Sequence, residues 1–149
     1  MTKRILAIAS GGGHWQQLML MRPAFDQHDV TFATTIPGLP EQFDASPAVI
    51  VPDCNRHERI ATLRSAAALL TLILRKRPHV VISTGALPGV IALAFGRVIG
   101  AKTIWVDSIA NAEEMSLSGK VAGKVAHLWL SQWENVAQEA GADYAGAVL

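Results

Sequence analysis

Ile5-Leu6-Ala7-Ile8-Ala9-Ser10-Gly11-Gly12-Gly13-His14, residues 5–14, is the stretch that decides the fold. Five apolar residues run on without alternation, which reads as a strand buried on both faces of a parallel sheet. The three glycines that follow permit positive φ angles and let a second group come close to the backbone. From His14 to Met21 the chain reads as a helix, ended by Pro23. A buried strand, a glycine turn and a helix form the first part of a parallel crossover unit.

The same alternation continues down the chain. Val30 to Thr34 reads as a second strand, residues 36–46 with Pro37-Gly38-Leu39-Pro40 as a loop, and Ala48 to Val51 as a short third strand. Asn55-Arg56-His57-Glu58 has the form of a capping box, opening a helix that runs to Arg77 and that Pro78 ends. His79 to Ser83 is a fourth strand, with Pro88 in the first turn of the next helix. Gly100 closes that helix, and Lys102 to Val106 is a fifth strand. A loop over 107–118, a short helix, a strand near Ala126 to Leu130 and a last strand at Tyr144 to Leu149 complete the chain. The expectation is one α/β domain over 1–149, a Rossmann-like three-layer sandwich with a mostly parallel sheet covered on both faces.

Composition narrows the function classes. Half of the 149 residues are hydrophobic and 17% are charged, which suits an ordered core and excludes a disordered chain. Thirteen Lys and Arg against twelve Asp and Glu leave a net charge of +1, without the basic excess expected of a nucleic-acid partner. The lone Cys54 excludes an internal disulfide framework and suits a reducing cytoplasm. The first apolar run is too short for a secretory leader, and 78–96 is broken by Ser83, Thr84, Gly85, Pro88 and Gly89. Neither a leader nor a spanning helix is expected.

In open parallel sheets ligands bind at the C-terminal ends of strands, and three loops lie there. Ser10, Gly11, Gly12, Gly13 and His14 offer backbone amides at a helix start, which favour an anion such as a pyrophosphate. The loop lacks the third glycine of a dinucleotide fingerprint and the Lys-Ser/Thr of a P-loop. A tight strand-to-helix turn explains the same glycines equally well. His14 adds an imidazole suited to general-base work. Thr84 and Gly85 form a second small-residue turn. Residues 107–114 supply Asp107, Ser108, Asn111, Glu113 and Glu114, of which a carboxylate is the rival base. Gln132, Trp133 and Glu134 follow a further strand and suit a sugar or a partner chain. No metal site and no cofactor is expected.

The helix before Arg77 carries a separate signal. Ile60, Leu63, Ala67, Leu70 and Ile73 recur at helical spacing and form the expected core stripe. Ala66, Leu69, Leu72 and Leu74 leave its second half apolar nearly all round, and Arg75-Lys76-Arg77 follows. Burial within the domain and a membrane- or partner-facing patch both fit.

These motifs, with Ser116-Leu117-Ser118-Gly119-Lys120 and the Tyr144-Ala145-Gly146 ending, occur in an order that resembles a known family. It is the oligosaccharide-biosynthesis family typified by the membrane-anchored subunit of the dolichol-linked N-acetylglucosaminyltransferase, with PssD-type polysaccharide proteins as bacterial relatives. The glycine loop with His14 also resembles that of MurG. The resemblance implies the acceptor-side N-terminal half of a GT-B glycosyltransferase, expected to be inactive alone. It implies a separate UDP-sugar-binding subunit, a lipid-linked sugar acceptor and a peripheral place at the inner face of the cytoplasmic membrane. It casts His14, Glu113 and Glu114 as candidate catalytic groups, and Ser10, Gly11, Gly12, Gly13, Thr84, Gly85, Ser108 and Asn111 as acceptor or pyrophosphate contacts. Gln132, Trp133 and Glu134 then meet the partner or a sugar. The family's eukaryotic members carry an N-terminal membrane helix, and no such anchor is expected here. A non-catalytic scaffold that recruits a glycosyltransferase subunit to the membrane, or a free-standing nucleotide-binding Rossmann protein, are the alternatives.

Overall fold

The computed structural model describes residues 1–149. Seven strands form one sheet in the order β3-β2-β1-β4-β5-β6-β7. They are β1 (Arg4–Ile8), β2 (Asp29–Thr34), β3 (Ala48–Ile50), β4 (Val80–Ser83), β5 (Lys102–Val106), β6 (Leu128–Ser131) and β7 (Asp143–Tyr144). Every neighbouring pair is parallel. Strand order reverses between β1 and β4, the switch point of a doubly wound sheet. The connecting helices are α1 (Gly13–Met21), α2 (Leu39–Gln42), α3 (Arg59–Lys76), α4 (Ala86–Val98), α5 (Leu117–Ala122) and α6 (Glu134–Ala140).

Two cores flank the sheet. Leu6, Ile8, Val81 and Trp105 face Leu69, Leu72 and Ile73 of α3 and Ala92 and Leu93 of α4. On the other face Ile5, Ala7 and Ile82 meet Trp15 and Leu18 of α1, with Phe25 and Phe32. Gly96 lets α4 sit tight on the sheet, since a Cβ there would stand 2.7 Å from a Val81 methyl. Beyond β1 the second face has no helix over it. Ile82, Ile104, Val106, Leu128 and Leu130 line a groove of about 320 Å³ there, with Phe25 at its edge.

Several local expectations are corrected. Residues 36–46 contain α2, and residues after Trp133 form α6, neither of which the pattern signalled. The last strand is Asp143–Tyr144, and the residues after it run on as a tail. The capping box does not form. Asn55 Oδ1 accepts from the amides of His57 and Glu58 in an Asx turn, and α3 starts at Arg59 without a side-chain cap.

The larger correction is the phase of α3. Its buried face is Ser65, Leu69, Leu72 and Ile73. Of the expected stripe only Ile73 is buried, whereas Ile60, Leu63 and Leu70 are 70%, 69% and 38% exposed and Ala67 is exposed too. Leu74 is also exposed, so Ile60, Leu63, Ala67, Leu70 and Leu74 make an outward apolar stripe at three- and four-residue spacing. Leu69, Leu72 and Ile73 win the core because all three are buried in the cluster that holds Leu6, Val81 and Leu93, worth about 1.5–3 kcal/mol apiece.

Asp107 locks the connection after β5. Its Oδ1 accepts from Trp105 Nε1 at 3.0 Å and Ser116 Oγ at 2.6 Å. Its Oδ2 accepts from Asn111 Nδ2 at 3.1 Å and the Ser116 amide at 2.9 Å. Ser116 Oγ in turn accepts from the Gly119 amide and caps α5. Four donors on a carboxylate 2% exposed make this a structural group. Asp107→Asn turns one acceptor oxygen into a donor facing donors, and the stranded groups should cost roughly 2–4 kcal/mol. Urea denaturation measures the loss; a change below about 0.5 kcal/mol, the range of ordinary surface substitutions, would show that this lock is not what holds the loop.

Candidate functional site

The C-terminal edge at the switch point brings the first two expected loops together. Gly12 precedes α1 at φ 67°, ψ −138°, and no side chain caps that helix. Gly85 precedes α4, again without a side-chain cap, and Ala86 holds a left-handed φ of 69°. A non-glycine residue in that region carries strain, here at the first residue of a helix. Because β1 pairs with β4, the two uncapped helix starts lie side by side. Their free amides and aligned dipoles favour an anion.

His14 joins the two loops. Thr84 Oγ1 donates to the His14 carbonyl at 2.6 Å, and His14 Nδ1 lies 3.2 Å from the Thr84 carbonyl. A carbonyl can only accept, so Nδ1 carries the hydrogen and donates. The neutral ring then keeps Nε2 as its free lone pair, the form a general base requires. Gly85 is needed for this approach, because a Cβ there would overlap the imidazole. Gly12 and Gly13 face open space. A Cβ on Gly11 would collide with Ile36, so the loop after β2 covers the glycine turn from one side.

The third loop is wired differently. Ser108 is buried, and its hydroxyl accepts from Gln17 Nε2 and the Ala110 amide. Gln17 Oε1 accepts from the Ile109 amide and from Gln132 Nε2. Gln132 is buried as well, and it also donates to the Asp107 carbonyl while its Oε1 accepts from the Val148 amide. Ser108 and Gln132 thus meet protein partners, and half-buried Asn111 gives one amide hydrogen to Asp107. Trp133 is 37% exposed, with Nε1 donating to the Ile109 carbonyl at 2.7 Å, and keeps a ring face open. Glu134 is exposed in the first turn of α6, where a carboxylate suits the helix dipole. Glu114 pairs with Lys120 at 2.9 Å on the surface, and Glu113 is exposed. Ser10 is half-buried beside the glycine turn.

Gln17 was not foreseen as part of the site. Its signal was a polar residue three positions after His14, on the face of α1 that buries Trp15 and Leu18. Ile36 carried no signal, since only the folded approach of two loops sets its contact. Cys54 is buried, and burial holds its thiol above the ordinary range, so it is no thiolate near neutral pH.

Similarity to known proteins fits this architecture. Residues 52–148 match the family described as "Oligosaccharide biosynthesis protein Alg14 like". Over 90 residues the chain is 32% identical to the UDP-N-acetylglucosamine transferase subunit ALG14 of Eremothecium gossypii, covering 52% of this chain and 40% of that protein. The crystal structure of Acinetobacter baumannii MurG superposes with a TM-score of 0.73 at 13% identity, over 90% of this chain and 43% of that one. A UDP-N-acetylglucosamine 2-epimerase from Rickettsia bellii gives 0.76 at 8% identity, over 99% and 45%. The chain therefore spans less than half the length of these relatives, and at such identities the two structures speak for the fold. The family match, which takes in Thr84, Gly85, the whole 107–116 connection and the Gln132-Trp133-Glu134 turn, places the chain in the Alg14-like oligosaccharide biosynthesis family.

Proposed function

We propose that this chain is the acceptor-binding and membrane-recruiting half of a two-chain inverting glycosyltransferase in polysaccharide biosynthesis. The acceptor is a polyprenyl-pyrophosphate-linked sugar, and the partner subunit supplies the UDP-sugar. One observation carries this reading: an imidazole with its free Nε2 set by Nδ1 donation to Thr84 stands where two uncapped helix starts converge. The amides of residues 11–13 and of Ala86 would hold the pyrophosphate, while that of Gly85 donates to Ser83 Oγ. His14 Nε2 takes the proton of the acceptor hydroxyl as its oxygen attacks the anomeric carbon, and UDP leaves with inversion.

Of the rival bases, Asp107 is saturated by four donors and Glu114 is engaged by Lys120. Glu113 keeps its carboxylate free on the surface and remains the competitor to His14. The donor-side wall of the cleft belongs to the partner, so this chain alone is expected to transfer very little. The bare apolar face over β4 to β6 and the ring of Trp133 give that partner surface to cover.

Membrane recruitment falls to α3, whose outward stripe is flanked by cations. No helix is long and apolar enough to cross a membrane. From Arg59 to Val106 the chain contains Arg59, Arg64, Arg75, Lys76, Arg77, Arg97 and Lys102 and no carboxylate. An apolar stripe edged by cations suits an anionic leaflet. The same feature favours the second reading, a non-catalytic recruiter, and the assay below separates the two.

Transfer of labelled sugar from a panel of UDP-sugars to a polyprenyl-pyrophosphate-sugar should need both this chain and its UDP-sugar-binding partner. Product from the partner alone would reduce this chain to a recruiter. In the assembled pair, His14→Ala should lower kcat by about 10²–10⁴, the ordinary contribution of a general base, with acceptor binding kept. Unchanged turnover would remove His14 and pass the role to Glu113. Leu63→Ser with Leu70→Ser should leave folding stability within about 1 kcal/mol, roughly 0.5 for each exposed position. The pair should weaken binding to anionic vesicles by roughly 2–4 kcal/mol, the value of two leucines leaving lipid. Unaltered vesicle flotation would sink the α3 docking face.

A further inference from the structure

We propose that the N-terminal edge of the sheet, opposite the acceptor site, holds a pocket for the phosphate of an anionic phospholipid; the proposal rests on the docking of α3 to membrane. A cavity of about 400 Å³ opens there, with Arg4, Arg77 and His79 as its polar lining and Leu74, Pro78 and Ile99 among its apolar one. No carboxylate lines it.

Arg4 is held rather than loose. Arg4 Nε donates to the carbonyls of Lys76 at 3.2 Å and Arg77 at 2.9 Å, which fixes the guanidinium against the C-terminal end of α3. A guanidinium braced in this way keeps its terminal nitrogens for a planar two-point contact with a phosphate. Arg77 closes α3 at φ 45°, ψ 60°, a left-handed position where glycine is the usual residue. The chain thus keeps a cationic side chain where the backbone favours having none.

His79 supplies a donor of defined direction. Its Nδ1 accepts from the Arg4 amide at 2.9 Å, so the hydrogen of the neutral ring is on Nε2. Loss of solvent around the ring, and then the charges of Arg4 and Lys3, hold its pKa below the ordinary value and favour that neutral form. Leu74 belongs both to this cavity and to the outward stripe of α3, and Val98 beside Ile99 is exposed at the end of α4. A lipid lying along the stripe would bring its phosphate to the two arginines while its glycerol and upper acyl chain rest on Leu74 and Ile99. The acceptor pyrophosphate is a different ligand. Its amides lie at the other end of strands that span roughly 15 Å.

The test compares Arg77→Gly with Arg64→Gln on the full chain, each losing one cation from α3 or its cap. Glycine suits the left-handed backbone at 77, so the first variant should melt no lower than the wild type. Flotation uses phosphatidylcholine vesicles with and without phosphatidylglycerol. Arg64→Gln should weaken binding to the anionic vesicles about five-fold, the effect of one diffuse surface cation. Arg77→Gly should weaken it roughly ten- to a hundred-fold, as expected for a lost charge-assisted hydrogen bond. Equal losses would overturn the pocket and leave membrane docking standing. No binding by the wild type would overturn docking and the pocket with it. Inorganic phosphate that shifts the His79 ring resonances at millimolar concentration, without a matching effect of Arg77→Gly on vesicles, would assign the pocket to a soluble phosphate and overturn the lipid.

Discussion

β1 is hydrogen-bonded to β2 on one side and β4 on the other, so the chain leaves the C-terminal ends of β1 and β4 toward opposite faces of the sheet. Two helices therefore begin beside one another with nothing between them. At both starts the residue that would normally cap the helix is a glycine. The first-turn amides keep no side-chain cap, and the space a side chain would fill is taken by His14 over Gly85. Mutual hydrogen bonds between His14 and Thr84 then tie the two loops into one unit. The anion-favouring field, the direction of the imidazole and the strain at Ala86 all follow from that single adjacency.

A net charge of +1 conceals how unevenly charge is distributed. The α3 and α4 layer carries cations without carboxylates, while the acidic residues gather in the first 58 positions and after Val106. Three histidines, His28, His79 and His127, accept strand-edge amides through Nδ1 at the N-terminal edge of the sheet. Each thus satisfies a backbone donor that no neighbouring strand reaches. The two edges differ in kind: one presents free backbone amides and a lone pair, the other cations on a braced frame.

Much of this was legible in the residues. Continuous apolar runs marked the parallel strands, because burial on both faces removes any need for alternation. Glycines and prolines marked most of the turns. The phase of α3 was not legible, because its second half is apolar on both candidate faces and periodicity cannot rank two apolar stripes. Packing against Leu6, Ile8 and Val81 decides it, and those contacts are far away in sequence. The protein contacts of Ser108, Asn111 and Gln132 were hidden for a related reason. A polar residue in a strand-end loop looks the same in sequence whether it meets ligand or protein, and here Gln17, 91 positions from Ser108, takes the contact. Asn55 misled because an Asx turn and a helix cap use the same side-chain oxygen on nearby amides.

The orientation of α3 connects the two edges. As the crossover from β3 to β4 it runs antiparallel to the strands, so Arg59 lies toward the C-terminal edge that carries His14 and Lys76 toward the basic pocket. Eighteen residues of helix span about 27 Å, longer than the strands beneath it. A domain resting on a bilayer along this helix has both edges at headgroup height. If the acceptor is the proposed polyprenyl-pyrophosphate-linked sugar, with its chain still in the membrane, it would need to raise only its pyrophosphate to reach the amides beside His14. Docking by a point at either end of the helix would tilt the sheet and lift one edge away. Under the proposed function, a stripe that runs along α3, with a cationic holdfast at the end remote from His14, would keep the acceptor site level with a lipid-borne substrate.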